Sequence, residues 1–244
     1  CLSLLSATGA ASLLGNGCQR GVREEVTRWR GVLFNSDVDM SVHAMPPAVA
    51  EPLIRNCELE MQRLEKLFSL YLPDSPLSRL NRTGRLDNPP PELVDLVRKA
   101  LLVAERSGGA FDPTIQPYWI WLRETVETTG AIDPEAQAQF LEKVDFRQVR
   151  CGEEELSFGR EGMALTLNGL SQGWITDRAS EILRDGGAQH CLVNLGEFYG
   201  LGTQPSGKDW IVGLRGVEGE EIALRDRALA VSSGAGLYFG TGDR

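Results

Sequence analysis

The chain has 244 residues and a formal net charge of −9, with 25 Lys and Arg residues against 34 Asp and Glu residues. This acidic balance argues against a nucleic-acid-binding protein, because phosphate backbones are bound by basic surfaces. Hydrophobic residues make up 42% and charged residues 24% of the chain, which argues against extensive disorder. The length predicts one large domain or two small ones with a sizeable core.

The first segment has the composition of a targeting sequence. Residues 2–17 are apolar or small throughout, and they fall short of the roughly 20 apolar residues that a spanning helix needs. We interpret residues 1–20 as a signal-peptide remnant or lipoprotein leader, which predicts an exported, periplasmic protein. Residues 14–18 resemble a lipoprotein cleavage site, which makes Cys18 a candidate for lipid attachment. A buried N-terminal helix is the alternative, and the glycine content disfavours it.

Helical periodicity marks four later segments. Apolar residues recur at every third or fourth position over residues 51–70 and again over residues 92–107, which predicts two amphipathic helices. Asp133 and Pro134 form a typical helix start, and this third helix is expected to end near residue 144. A fourth helix is expected from residue 175 to the glycine pair at 186–187.

After residue 145 the pattern changes to short apolar or alternating segments bounded by turn residues, which predicts strands. Because regular helices do not alternate with these strands, a largely antiparallel sheet is expected rather than a doubly wound one. The predicted fold class is therefore α+β, with a mostly antiparallel sheet and flanking helices. The predicted strands are Gln148–Cys151, Glu155–Phe158, Ala164–Asn168, Cys191–Leu195, Trp210–Leu214, Glu221–Leu224 and Ala228–Ser232.

The five cysteines have no metal-ligand spacing. Cys57 falls on the apolar face of the first predicted helix, and Cys191 opens an apolar strand. Both positions are typical of small buried hydrophobic residues, so we predict structural rather than catalytic thiols.

The segment Thr166–Gly173 joins a predicted strand to a predicted helix through a turn that contains glycine. Free backbone N–H groups and the positive end of a helix dipole favour an anion such as phosphate at such a turn. The segment matches neither the G-x-G-x-x-G pattern nor the P-loop. Taken alone, it is explained equally well as a plain connection.

Five ordered blocks give the chain a family resemblance. They are Phe68–Asn81 (FSLYLPDSPLSRLN), Ser107–Thr114 (SGGAFDPT), Thr166–Asp177, Leu192–Gly196 and Leu229–Gly234. In this order and at these spacings they resemble the FAD:protein FMN transferase (ApbE) family from about residue 30 to residue 244. The resemblance implies two intertwined α+β motifs around a flavin cleft. It also implies an Mg²⁺-dependent enzyme that transfers FMN from FAD to a Ser or Thr hydroxyl of an acceptor protein and releases AMP.

The resemblance implies FAD-binding residues in the first two blocks. Tyr71 matches a tyrosine that contacts FAD in the family, although the residue type alone fits a core aromatic equally well. Ala110, Phe111 and Asp112 match a trio that lines the FAD site. The Asp112 side chain could instead cap its own turn. No catalytic residue is assigned.

The third block departs from the family pattern. Thr166 stands where the pattern has Asp, and Gln172 stands where it has Lys or Glu; both are candidate FAD-binding residues. Gly169 occupies the position of a Gly or Thr whose oxygen helps to hold Mg²⁺, so only its carbonyl could serve. These departures suggest weakened catalysis or an accessory subgroup that serves copper enzymes such as nitrous oxide reductase. They also keep open the alternative of a non-catalytic periplasmic FAD-binding or carrier lipoprotein.

The family pattern continues beyond the last block with segments that supply carboxylate ligands for the metal. Because the sequence stops at Arg244, we expect the flavin transferase domain, residues 30–244, to lack its C-terminal part. The expected partners are FAD, Mg²⁺ and an acceptor flavoprotein, which is expected to be a membrane-associated electron-transfer subunit. No nucleic acid is expected.

Overall fold

The computed structural model describes residues 25–213 and 219–232. The predicted leader, its Cys18 and the end of the fifth block lie outside these residues. In chain order the elements are β1 (Val26–Leu33), β2 (Ser36–His43), α1 (Pro47–Phe68), α2 (Pro76–Thr83), β3 (Arg85–Asp87), α3 (Pro91–Arg106), α4 (Gln116–Thr128), α5 (Pro134–Leu141), β4 (Val149–Cys151), β5 (Glu155–Phe158), α6 (Asn168–Asp185), β6 (Cys191–Asn194), β7 (Phe198–Leu201), β8 (Trp210–Gly213), β9 (Glu221–Leu224) and β10 (Arg227–Leu229), with short 3-10 helices at Pro113–Ile115 and Phe146–Gln148.

The chain divides into two compact units. Among the described residues, the first unit is formed by residues 25–62, 172–213 and 219–231, and the second unit by residues 63–171 and 232. The first unit is therefore built from stretches that lie on either side of the second unit in sequence.

The first unit contains two antiparallel sheets. Five strands lie in the order β1-β2-β6-β7-β10, and β8 pairs with β9. Met40 on β2 lies opposite Val193 on β6, and both side chains are buried. The β1–β2 hairpin, which has no counterpart among the predicted elements, turns through Phe34 and Asn35, both at positive φ. A two-residue turn with both residues at positive φ has a backbone twist that matches the twist of the two strands it joins.

The second unit contains a three-stranded antiparallel sheet in the order β3-β5-β4. Leu86 on β3 lies opposite Leu156 on β5, and both are buried. Because neighbouring residues on a strand point to opposite faces, Ser157 belongs to the other face of this sheet. Helices α2 to α5 complete the unit.

The antiparallel pairing of all the described strands, together with the helices, confirms the predicted α+β class. The helices expected over residues 51–70, 92–107 and 133–144 are observed as α1, α3 and α5 with shifted ends. Asp133 caps α5 as expected, since its carboxylate accepts the N–H groups of Glu135 and Ala136. Cys57 and Cys191 are buried as predicted.

The predicted strand Ala164–Asn168 is wrong. Residues 163–167 alternate in burial as a strand would, but they pair with no strand among the described residues, and α6 begins at Asn168. A side chain takes the place of a neighbouring strand. Asn81 Nδ2 donates to the Leu165 carbonyl at 2.8 Å, and Asn81 Oδ1 accepts the Leu165 N–H at 2.7 Å.

No described helix is both long enough and apolar enough to cross a membrane.

Candidate functional site

A cleft of about 600 Å³ in the second unit gathers residues from two of the sequence blocks. We call it the flavin-block cleft. Five of the residues singled out in the sequence line it: Ala110, Phe111, Asp112, Thr166 and Gly169. The remaining lining residues are Gly108, Gly109, Ile115, Val144, Asp145, Phe146, Arg147 and Arg160. Blocks that are more than fifty residues apart in sequence therefore form one concave surface.

Asp112 fixes the floor of this cleft. Its Oδ1 accepts the backbone N–H of Thr114 at 2.8 Å and the Thr114 hydroxyl at 2.6 Å. Its Oδ2 accepts the N–H of Phe146 at 3.1 Å. The carboxylate thus caps its own 3-10 helix, as the alternative interpretation expected, and also ties that turn to the next wall of the cleft. Its expected contact with FAD stays a prediction.

Phe111 and Gly169 form one side of the cleft. A Cβ built on Gly169 would lie 3.3 Å from the Cε2 atom of the Phe111 ring, which is tighter than most side-chain contacts. A side chain at position 169 would therefore require the Phe111 ring to shift by a few tenths of an ångström. Glycine is not required by backbone conformation, because the φ of Gly169 lies outside the left-handed region.

The start of α6 presents a free donor at this position. The N–H of Asn168 donates to the Thr166 hydroxyl at 3.3 Å. The N–H groups of Leu170 and Ser171 both donate to the Leu167 carbonyl. The Gly169 N–H has no acceptor among the described residues. Because the first amides of a helix carry a partial positive charge, this N–H suits a phosphate oxygen.

The cleft also contains two cations and a second aromatic ring that the sequence patterns did not single out. The Arg147 guanidinium lies 4.6 Å from the centre of the Phe146 ring, and Arg160 donates to the Glu142 carbonyl at 2.9 Å. Asp145 caps the short helix at Phe146–Gln148 through the Arg147 N–H. Asp145 has the residue type that often caps a short helix or turn, which marks a turn here but does not show that it lines the cleft.

Tyr71 lies outside the lining of this cleft. Its side chain is 67% exposed, so the core interpretation is wrong, and the neighbouring Phe68 fills the core position instead. The Tyr71 N–H donates to Ser69 Oγ at 3.1 Å, which holds the turn after α1. The assignment of Tyr71 to FAD stays a prediction, with an exposed ring available for stacking.

Gln172 belongs to the first unit. Gly196 there has a φ of +94°, and a Cβ built on it would collide with the side-chain amide of Gln172. The third block is therefore packed directly against the fourth at this point. The predicted role of Gln172 toward FAD stays a prediction.

Glu197, which directly follows the fourth block, contacts the fifth block. The Val231 N–H donates to Glu197 Oε2 at 3.2 Å. Burial raises the pKa of the Glu197 carboxyl above its ordinary value, and the hydrogen bond from Val231 opposes that shift. Thr176 donates to the Gln172 carbonyl at 2.8 Å.

The described residues offer few oxygen ligands for Mg²⁺. Over residues 25–213 and 219–232, no group of three or more His, Cys, Asp or Glu side chains is placed to hold a metal ion. The Gly169 carbonyl belongs to the first turn of α6, where helical geometry directs it to the amide four residues on. Mg²⁺ requires near-octahedral oxygen ligands, so the described residues do not by themselves fit the metal. The assignment of Gly169 as a metal ligand stays a prediction.

The chain is similar in sequence to known proteins of one family. A sequence model of the ApbE family matches residues 34–244. A FAD:protein FMN transferase of Treponema pallidum (strain Nichols) is 28% identical over 206 residues, which cover 73% of this chain and 56% of that protein. This chain therefore spans little more than half the length of that relative.

Solved structures show the same fold. The flavin transferase ApbE of Vibrio cholerae superposes with a TM-score of 0.75 at 19% identity, covering 89% of this chain and 75% of that one. The apo flavinyl transferase ApbE of Pseudomonas stutzeri gives 0.70 at 21% identity, with 83% and 68% covered. The ApbE protein of Thermotoga maritima gives 0.69 at 20% identity, with 84% and 69% covered. Because the family match extends over most of the sequence, the chain belongs to the ApbE family.

Proposed function

We propose that the full protein transfers FMN from FAD to a Ser or Thr hydroxyl of an acceptor protein. The observation that carries this proposal is the flavin-block cleft, which brings Ala110 to Asp112 together with Thr166 and Gly169. The family membership and the named activity of the Treponema pallidum relative support it.

The chemistry is a phosphoryl transfer. The acceptor hydroxyl oxygen bonds to the phosphorus on the FMN side of the FAD diphosphate, and the bond from that phosphorus to the bridging oxygen breaks. AMP leaves with the bridging oxygen, and the hydroxyl proton passes to solvent. Positioning and charge stabilisation dominate catalysis of such transfers.

The residues of the cleft supply the binding part of this task. The free N–H of Gly169 donates to a phosphate oxygen. The Arg147 and Arg160 guanidiniums, which Asp145 also pairs with, offset part of the diphosphate charge. Phe111 and Phe146 present apolar ring surface for the flavin or adenine. Asp112 acts by positioning Thr114 and Phe146, because its two carboxylate oxygens already accept hydrogen bonds from these residues.

Mg²⁺ dependence is part of the proposal through the family resemblance alone. When bound, the metal would neutralise charge on the diphosphate and the leaving AMP. Since the described residues do not complete a metal site, none of the steps above is assigned to it.

Covalent labelling tests the proposal. Full-length protein, FAD, Mg²⁺ and a candidate acceptor from the same pathway should give a fluorescent acceptor band on a denaturing gel. Replacing the acceptor Ser or Thr with Ala should abolish the band, and EDTA should do the same. A phosphoester bond survives denaturation, whereas bound FAD is released, so the gel separates transfer from binding.

The second candidate is a non-catalytic FAD carrier. Thr166 and Gln172 favour it, because neither supplies the charge found at these positions in the family pattern. If the protein binds FAD but never labels a verified acceptor, the carrier proposal replaces the transferase.

The cellular location, the lipid anchor and the acceptor of the protein are also proposals. The apolar residues 2–17 support export to the periplasm, and Cys18 is the proposed anchor site. A membrane-associated electron-transfer flavoprotein is the proposed acceptor, and membership of the nitrous-oxide-reductase accessory subgroup stays a prediction. If the protein is lipid-anchored, globomycin should inhibit its processing, and a Cys18→Ala variant should not be processed. A protein without an anchor should show neither effect.

A further inference from the structure

We propose that the sheet β3-β5-β4 carries an oxyanion site that takes the phosphate group of a phosphomonoester. The site lies in a second cleft of the same unit, of about 680 Å³, which we call the arginine cleft. Its lining residues are Asn81, Arg82, Thr83, Gly84, Arg85, Arg150, Glu155, Ser157, Phe158, Gly159, Arg160, Glu161, Gly162 and Met163. The proposal does not depend on the flavin function.

Strand register places two arginines on either side of one serine. Ser157 on β5 lies opposite Arg85 on β3 and opposite Arg150 on β4. Directly opposed residues share a face of the sheet, with Cβ atoms roughly 4.5–5.5 Å apart. The three side chains therefore form one row, Arg85–Ser157–Arg150, on the face away from Leu86 and Leu156.

The hydroxyl at the centre of this row has no protein partner. Ser157 is 7% exposed, and its Oγ has no hydrogen-bond partner among the described residues. A buried hydroxyl without a partner is costly, because it loses its hydrogen bonds to water. An oxyanion held in the cleft would accept a hydrogen bond from the Ser157 hydroxyl and remove that cost.

The charges in the cleft favour a compact anion. The Arg150 guanidinium has no ion pair or hydrogen bond among the described residues, so it is available to a ligand. Arg85 is already held by Asp87 and Glu155, each at 2.8 Å. Asp87 and Glu155 form the next cross-strand pair on this face, so these contacts draw the Arg85 side chain along its strand. The other guanidinium N–H groups of Arg85 remain as donors. Four arginines and two glutamates line the cleft, giving a local positive balance in an acidic protein.

A phosphomonoester fits these donors better than an extended polyanion does. Its terminal oxygens can accept from a hydroxyl and from two guanidiniums at once, and it carries nearly two charges at neutral pH. Glu155 and Glu161 also lie in the lining, and they would repel neighbouring phosphates of a nucleic acid. The assigned ligand class is therefore a small molecule that ends in a phosphate group.

Titration calorimetry on the full-length protein tests the site, with inorganic phosphate and AMP as probes. Both should bind saturably, and added NaCl should weaken both. Arg150→Gln and Ser157→Ala should each weaken binding, Arg150→Gln by at least about tenfold, the change expected for one charge-assisted hydrogen bond. Arg147→Gln is the matched control, because Arg147 lines only the flavin-block cleft. It should leave phosphate binding unchanged.

The probes also distinguish the source of the phosphate. Because AMP is also the proposed product of the flavin-block cleft, only AMP binding that Arg150→Gln weakens is assigned to the arginine cleft. If that binding is tighter than the binding of phosphate, the ligand is a nucleotide, and if the two are equal, the phosphate alone is recognised. Ser157→Ala should fold normally, since the lost hydroxyl has no partner to leave unpaired. The proposal is overturned if phosphate shows no saturation up to about 10 mM. It is also overturned if Arg147→Gln weakens phosphate binding while Arg150→Gln does not, because the anion would then occupy the flavin-block cleft.

Discussion

The ring of Phe111 lies against the backbone of Gly169, so closely that a Cβ on the glycine would come within 3.3 Å of it. The two residues come from separate blocks of the sequence and form one wall of the flavin-block cleft. Neither block alone is specific for a site. Their contact explains why a small residue is needed at the start of α6.

Gly169→Ala should therefore weaken FAD binding by several-fold. The added methyl group would displace the Phe111 ring by a few tenths of an ångström and narrow the cleft around the free Gly169 N–H. Its effect on stability should be small, because the crowding offsets the gain in helix propensity, at most about 1 kcal/mol. Fluorescence quenching of FAD measures the first effect, and urea unfolding measures the second.

Gly173→Ala provides the matched control on the same helix. A Cβ at Gly173 would meet no heavy atom within 4 Å, so alanine should stabilise the protein by about 0.5–1 kcal/mol and leave FAD affinity unchanged. Equal FAD affinities for the two variants would contradict the proposed role of the Phe111–Gly169 contact.

The sequence predicted those parts of the fold that have a local pattern. Long helices such as α3 follow from their apolar periodicity, and Glu155–Phe158 was predicted with its observed bounds. The strand predicted around Leu165 is wrong because alternating burial has the period of a strand there, whereas the backbone of Leu165 bonds to the distant side chain of Asn81. The periodicity of apolar residues indicates which side chains are buried, but it does not indicate which groups form hydrogen bonds with the backbone.

The candidate site was predictable only in part for the same reason. Ala110, Phe111 and Asp112 stand in a recognisable block, and the cleft contains them. Arg147 and Arg160 reach it through folds of the chain that no local pattern reveals. Ser157 is identified as part of a site only by the strand register, which places an arginine on each side of it.

Asn81→Ala should destabilise the second unit by about 2–4 kcal/mol, because two buried backbone groups of Leu165 would each lose their partner. Asn81→Asp is the graded control. Its carboxylate still accepts the Leu165 N–H but cannot donate to the Leu165 carbonyl, so we expect an intermediate loss. Urea unfolding of the three proteins checks this order. Identical stability of Asn81→Ala and the parent would show that water replaces the side chain at no cost.

Asp112→Ala should lower stability by about 2–4 kcal/mol, since hydrogen bonds to a charged group are among the stronger ones. The carboxylate accepts from the Thr114 N–H, the Thr114 hydroxyl and the Phe146 N–H. Asp112→Asn keeps one acceptor oxygen and should lose less. FAD affinity, measured where both variants are folded, should fall with the release of Phe146. An Asp112→Ala variant of parental stability and affinity would contradict this positioning role.

Cys57 and Cys191 make stability depend on alkaline pH. Burial raises the pKa of the Cys57 thiol from 9.0 to about 12, and the neighbouring Cys191 adds to the shift. Burial likewise raises the pKa of the Cys191 thiol to about 12. Because the folded pKa exceeds the unfolded value, the stabilisation is fully present below the unfolded pKa and is lost as pH rises toward the folded pKa.

The free energy of unfolding should therefore fall by about 1.4 kcal/mol per pH unit for each of these thiols, between about pH 9 and pH 12. Cys57→Ala should remove its share of that slope. Its lower stability at neutral pH, from the cavity left by the sulfur, shifts the whole curve without tilting it. Cys151→Ala is the control, since this thiol is only half-buried and should change the slope less. Urea unfolding of the three proteins across this range measures the slopes. Parallel curves for Cys57→Ala and the parent would mean that the thiolate is accommodated in the fold, and that burial does not govern the pKa of Cys57.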